Sequence, residues 1–464
     1  MKRLFVLLSL VSPMVVFSQT LEFSEVWEKI ESNSSGSKAK FLEWKASEIN
    51  KNKSEKHWLP RVYTDIRSFQ TNDPTLNFMG KLGQRKATEA DFSTSSVRLR
   101  PGNFLNSNNE PYSNLNSDST NLFAKDTLNY PGSNVYTRGT LGVDLAIYEG
   151  GSGKTKSRMA EQKTNGLKFE WLAIKDREYA QAGFYYRAIQ SLIEYQTRIE
   201  QIQKIEYKFQ TNYQLTNKAN PVGYSGYLAL KTLRNQLIGI HNQIDEQIFE
   251  YKEILQILSG IPSTEIITNH SNLLEFLDLY FDRLAEYKGS NHLNALSLYA
   301  ESEKLKSDLE LSKFLPKVAA YSETYVYQGS RGTSDAYQAG IYLQMNLYDP
   351  KDIGSVEEAK LSSESFFKTL EEKKKEEEKH VKQLRKKEIS YRENFELIRN
   401  SIANLEEQVL IMQRLFQSGA INAIQFADTL NKYSDISKAL FETEIGILQV
   451  RTEYSIFLKS GRDK

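Results

Sequence analysis

Leu141-Gly142-Val143-Asp144-Leu145-Ala146-Ile147-Tyr148-Glu149 and Ile341-Tyr342-Leu343-Gln344-Met345-Asn346-Leu347-Tyr348-Asp349 are one pattern written twice, 200 residues apart. In both, apolar side chains fall at every second position, with polar or small ones between them. A β-strand points successive side chains to opposite faces, so each stretch reads as a strand with one apolar face. The apolar face comprises Leu141, Val143, Leu145 and Ile147 in the first copy and Ile341, Leu343, Met345 and Leu347 in the second. A strand crossing a bilayer needs about 9–11 residues, apolar toward lipid and polar toward a lumen. A half-buried strand of a soluble sheet alternates in the same way, so periodicity alone leaves both readings open.

The repeat extends outward from these strands. Leu59-Pro60-Arg61-Val62 matches Leu315-Pro316-Lys317-Val318 at an offset of 256, and Ser259-Gly260 matches Ser460-Gly461 at 201. The extra spacing sits in an insertion over about 70–135, rich in Asn, Ser, Asp, Gly and Pro. The chain therefore divides into a first repeat over 19–260, a linker over 261–290 and a second repeat over 291–464. Strands are expected at about 59–69, 138–148, 315–327 and 339–348, the last two joined by a short loop over 328–338. The 70–135 insertion reads as a long loop facing away from the helices.

Helical periodicity fills the rest. Tyr391, Phe395, Ile398, Ile402, Leu405, Val409, Met412 and Phe416 are spaced alternately by four and three, the heptad signature of helices packed knobs-into-holes. Tyr185, Ala188, Leu192, Tyr195, Ile199, Ile202 and Phe209 repeat it, interrupted by Glu206. Long helices are expected over 154–213 and 355–416, the latter about 90 Å long, with returning helices over 224–258 and 423–458. A heptad seam buries only a stripe, so such hairpins need neighbours along their length.

Residues 1–18 read as a secretory signal peptide: Lys2 and Arg3, then an apolar stretch from Leu4 to Phe17. An uncleaved anchor is the alternative reading. Without Lys2 and Arg3 the chain has 58 basic against 59 acidic side chains, a balance that argues against a nucleic-acid partner. It has no cysteine, hence no disulfide and no thiolate chemistry. Four strands cannot close a barrel around a water-filled lumen, and lipid tolerates no open sheet edge. Transmembrane strands here must therefore be shared among chains, and three chains would supply twelve.

Other motifs carry less. Gly150-Gly151-Ser152-Gly153-Lys154-Thr155 approaches a phosphate-binding loop, but the glycine required at 148 is Tyr148, so a turn from strand to helix is the better reading. His57, His241, His270, His292 and His380 show no metal-ligand spacing. The charge run over 371–387 mixes signs and reads as a solvated helix face. No nucleophile–base set is evident, so neither an enzyme nor a cofactor is expected.

In order, these features resemble the TolC-like outer-membrane efflux protein family. The carriers are the Leu-Pro strand openings at 59 and 315, and the junctions Ile147-Tyr148-Glu149-Gly150-Gly151 and Leu347-Tyr348-Asp349. So is the tip Phe416-Gln417-Ser418-Gly419-Ala420-Ile421 with Phe426-Ala427-Asp428. The resemblance implies a mostly α homotrimer with long antiparallel helical hairpins and a shared twelve-stranded β-barrel in the outer membrane. It would be a passive exit duct for efflux or type I secretion. Its helical part would reach into the periplasm to a periplasmic adaptor and, through it, an inner-membrane transporter. The resemblance also implies Asp428 and Gln425 as periplasmic aperture residues, and Gly419, Ala420, Ile421, Pro221 and Gly223 as adaptor contacts at the tips. The first tip, 217–226, departs from the family pattern in carrying Asn220-Pro221 and no following acid. The competing reading is a soluble periplasmic coiled-coil adaptor or scaffold. Cargo, and the choice between efflux and protein secretion, are not legible.

Overall fold

The two repeated stretches contribute to the second and fourth strands of one antiparallel sheet. The computed structural model describes residues 20–88, 107–110, 131–214, 217–269, 271–281, 287 and 289–458. The expected signal peptide, most of the 70–135 insertion and Ser460-Gly461 lie outside the described residues. The chain divides into two compact units: one takes residues up to Ile49, Glu161–Ser302 and those from Glu364, the other Asn50–Ala160 and Glu303–Ser363.

The second unit holds the sheet: β1 (Arg61–Thr71), β2 (Asn134–Glu149), β3 (Lys317–Gly329) and β4 (Gly332–Gln344), in the order β1-β2-β3-β4. Arg61 pairs with Asp144 and Thr71 with Asn134; Lys317 pairs with Gln344 and Tyr327 with Ser334. Each β1–β2 pair thus maps onto a β3–β4 pair by adding 256 on one strand and 200 on the other, the sequence offsets themselves. The duplication is preserved in hydrogen-bond register. Gly150 and Gly151, at φ +64 and +83, turn the chain from β2 into the next helix, a conformation open to glycine.

Three expectations for this region are corrected. The second hairpin has no loop over 328–338: Ser330 and Arg331 alone join Gly329 to Gly332, and β4 runs from Gly332 rather than from about 339. Its early outward positions are Thr333 and Asp335, which hid the alternation. Met345 and Leu347 lie beyond the end of β4 and are exposed, because β3 begins at Lys317 and offers no partner past Gln344. The insertion is not all loop, since α3 (Pro74–Gly83) forms within it, with Asp73 as N-cap accepting from the Leu76 amide and Pro74 in the first turn.

The first unit is helical. It contains α1 (Phe23–Asn33), most of α2 (Ser35–Glu55), and the greater part of α4 (Ser152–Thr211), followed by α5 (Pro221–Ser259) and α6 (Leu273–Tyr280). Part of α7 (Asn291–Leu311), most of α8 (Ser355–Gln417) and all of α9 (Ala423–Ile456) complete it. With 60 and 63 residues, α4 and α8 are about 90 and 95 Å long. Ala188, Tyr195 and Ile202 on α4, and Phe395, Ile402 and Val409 on α8, are buried, as the heptads require. Within the 261–290 linker, the described residues Leu273, Phe276, Leu277 and Phe281 are buried beside Phe23 and Tyr179. Ring centroids in this cluster lie 5.2 Å (Phe23–Tyr179) and 5.5 Å (Phe23–Phe276) apart, edge to face. Among the described residues no helix is long and apolar enough to cross a membrane.

Candidate functional site

Two regions carry candidate residues, the faces of the sheet and the paired tips. On the sheet, Leu141, Val143, Leu145, Ile341 and Leu343 share one face, and all are exposed; Ile147, also exposed, stands in a bulge where the register shifts between Ala146 and Tyr148. Ile341 and Leu343 are 72% and 68% exposed, so nothing among the described residues covers them. Sequence reasoning missed Val62, Ile66, Val326 and Tyr337, which join the same exposed face. Their signal was weak because Thr64, Thr324 and Asp335 interrupt it.

The opposite face is polar and aromatic, carrying Tyr63, Arg138, Thr140, Asp144, Tyr321, Glu323 and Tyr325. Glu323 accepts hydrogen bonds from Tyr63, from Tyr325 and from the Gln338 amide at 2.6 Å. The Arg138 guanidinium sits 4.4 Å over the Tyr325 ring, a cation–π contact. Gly142 makes room for Tyr63, whose ring a Cβ there would strike. One face of the sheet is thus apolar and the other polar, and among the described residues β1 and β4 are its open edges.

At the tips, the helix ends converge on a cleft of about 780 Å³. Val222 and Gly223 line it from one hairpin, Gly419, Ala420, Ile421 and Gln425 from the other. Its floor is aromatic: Phe209 lies 4.9 Å from Phe426, and Phe416 stacks on Phe426 at 5.1 Å. Tyr213 donates to the Gly223 carbonyl at 3.0 Å, and a Cβ on Gly226 would come within 2.7 Å of Ala423, so the two returning helices approach closely here. Gly419 at φ +74 closes α8, with the Ala420 amide bonded to the Leu415 carbonyl.

No family model and no curated protein matches the chain. Solved structures do. The outer-membrane protein VceC of Vibrio cholerae is 12% identical, with 94% of this chain and 96% of that one covered at a TM-score of 0.69. The Campylobacter jejuni outer-membrane channel CmeC is 9% identical over 95% and 87% of the chains, TM-score 0.71. CusC, described through its transmembrane channel formation, is 8% identical over 94% and 92%, TM-score 0.71.

The fold is TolC-like.

Within this TolC-like fold, the tip residues expected from sequence fall into distinct roles. Gln425 closes a reciprocal cap on α9: its amide donates to Asn422 Oδ1 at 2.9 Å and its side chain accepts from the Asn422 amide at 3.1 Å. Pro221 opens α5 behind the Asn220 cap and does not line the cleft. Asp428 stands outside the cleft, exposed on α9, paired with Lys432 at 2.9 Å. Among the described residues no three His, Asp or Glu side chains are placed to hold a metal ion.

The helical unit also buries charges that the heptads concealed. Arg187, 1% exposed, donates to Ser191 at 2.8 Å and meets Glu194 at 3.3 Å; burial lowers its pKa, and burial raises that of Glu444 facing it. Glu206, the break in the α4 heptads, is buried, and its pKa is pushed up to about 7 by that burial. Arg451 bonds the Phe281 carbonyl at 2.9 Å, Asp278 at 3.1 Å and Glu388, tying α9 to α6 and α8.

Proposed function

We propose that the chain is one of three identical subunits of an outer-membrane exit duct, with its sheet in the membrane and its helical hairpins in the periplasm. One observation carries this reading: a four-stranded sheet with an exposed apolar face, a polar face and two open edges. In a bilayer each backbone group on those edges must be paired, and sister copies supply the partners. The lumen would be lined by Tyr63, Arg138, Asp144, Tyr321 and Glu323. Cargo would be delivered by an inner-membrane transporter through a periplasmic adaptor docking at the tips, where Gly419, Ala420, Ile421 and Gly223 border the cleft. Pro221 sets the start of α5 beside them. Asp428 from three copies would form a carboxylate ring at the aperture, its repulsion moderated by Lys432. Gln425 holds the helix start that presents it.

The test is fractionation with spin labels at Val143 and Leu343. A duct needs detergent for extraction, and both labels report acyl chains. Extraction by salt alone, with both labels in water, would establish the soluble periplasmic scaffold instead.

A further inference from the structure

The helix α3 lies against the polar face of the sheet, at the end formed by the β3–β4 turn. Its inner side is fastened at both ends. Asn77, fully buried, donates to the Thr71 and Asp73 carbonyls at 3.0 and 3.1 Å and accepts from Asn134 at 2.8 Å and Tyr136 at 3.0 Å. Gln84, 1% exposed, accepts from the Arg331 amide at 3.1 Å, and the Arg331 guanidinium reaches the Lys86 carbonyl at 2.9 Å. Gly80 and Gly83 let the helix sit flat on Tyr136 and Tyr327, where a Cβ would come within 2.6 and 2.8 Å of the rings. Tyr136 and Tyr327 belong to the same polar face as Tyr63, Arg138 and Glu323.

The other side of α3 is apolar and uncovered among the described residues. Leu76, Met79 and Leu82 recur every third residue and are 47%, 58% and 42% exposed. An apolar row facing away from its own sheet is costly unless something covers it.

We propose that α3 is an apolar stopper at the outer mouth of the duct, completed by the α3 helices of the two sister copies. This rests on the shared-barrel reading, in which the polar face surrounds a common lumen. Three helices, each about 10 Å across, then line one level of that lumen and turn Leu76, Met79 and Leu82 toward its axis. A twelve-stranded barrel falls between the filled eight-stranded kind and the open sixteen-stranded porins, so three helices leave a narrow apolar passage. Narrow apolar constrictions exclude water and ions by dewetting. The clamps at Asn77 and Gln84 make this a built-in barrier, fixed to both hairpins.

The experiment uses the absence of native cysteine. Asp144→Cys places a thiol on the lumen face, deeper than α3, and a bulky maleimide–polyethylene glycol is added to intact cells. The proposal predicts slow labelling, accelerated several-fold when Leu76→Ser, Met79→Asp and Leu82→Ser are introduced together. In the otherwise native chain, Met79→Cys oxidises to covalently linked copies. Equal labelling rates with and without the triple substitution, or no cross-link at Met79→Cys, overturn the stopper. Val143→Cys, on the apolar face, reports separately on the duct. Its modification by the water-soluble reagent would sink the shared barrel itself.

Discussion

The two halves of the chain agree in their sheet and differ in their long helices. The hairpins β1–β2 and β3–β4 keep one register through offsets of 256 and 200, although one is joined by Ser330 and Arg331 alone and the other by a long insertion. Counting back from the tips, Ala188, Tyr195, Ile202 and Phe209 on α4 match Phe395, Ile402, Val409 and Phe416 on α8 at an offset of 207. The second half thus has 207 − 200 = 7 extra residues between strand and tip, one heptad. A whole heptad is an insertion that leaves the seam on the same face of the helix.

Beyond the seam the helices diverge. Ile189, off the α4 seam, is fully buried, whereas its match Glu396 on α8 is exposed; even Leu192, in the α4 seam, is matched by exposed Arg399. Buried Gln190 corresponds in the repeat to exposed Leu397. The lesson is that α4 is enclosed within its own chain over Tyr186–Leu192, while α8 at the matching place buries one stripe and, like its later turns at Leu410 and Ile411, leaves Leu397 open. In a trimer that open side is where a sister copy would lie.

This contrast can be broken at several points. Ile189→Ala removes a fully enclosed side chain and is expected to cost about 2–5 kcal/mol, read by chemical denaturation of the detergent-solubilised protein. Glu396→Ala, at the matching place on α8, should stay within about 0.5 kcal/mol. Equal costs would mean that the helices are enclosed alike.

A second contrast is at the seam itself, where buried Glu206 is matched by Gln413. A carboxyl whose folded pKa is raised to about 7 binds a proton that the unfolded chain has released. Stability is therefore greatest below about pH 4.5, the ordinary carboxyl range, and falls as pH rises through 7, by at most about 3 kcal/mol. Glu206→Gln, which copies the second half, should flatten this slope. A pH profile unchanged by that substitution would place the titration elsewhere.

The smallest effect is at the tips. Asn422 has a reciprocal cap with Gln425, whereas Asn220 accepts a single bond from the Gly223 amide at 3.0 Å. Asn422→Ala is expected to cost about 1–2 kcal/mol and Asn220→Ala about 1 kcal/mol or less. Thermal melts of the two variants rank them.

Where one physical pattern dominated, the sequence was readable. The alternation at Leu141–Ile147 and the heptads ending at Phe416 located β2 and α8. The first half of β4 was not, because Thr333 and Asp335 stand on the outward face near the turn and cancel the apolar period. The helix α3 was hidden by its glycines, Gly80 and Gly83, which look like loop residues until Tyr136 and Tyr327 are seen against them. At the tips, Gly419, Ile421 and Asp428 all came from the family resemblance rather than from a periodicity; Gly419 and Ile421 line the cleft, while Asp428 stands outside that cleft beside Lys432. Arg187 and Glu444 gave no signal, since a heptad count scores only apolar positions.

In the shared-barrel reading, the internal register predicts how sister copies would join. Val143 pairs with Ser322 between β2 and β3; carried forward by 200 and back by 256, this places Leu343 of one copy opposite Ile66 of the next. Both residues lie on the exposed apolar face. Oxidation of an Ile66→Cys, Leu343→Cys chain in outer membranes is the most direct measurement. The account predicts covalent dimers and trimers and nothing larger; a product that remains monomeric would contradict it.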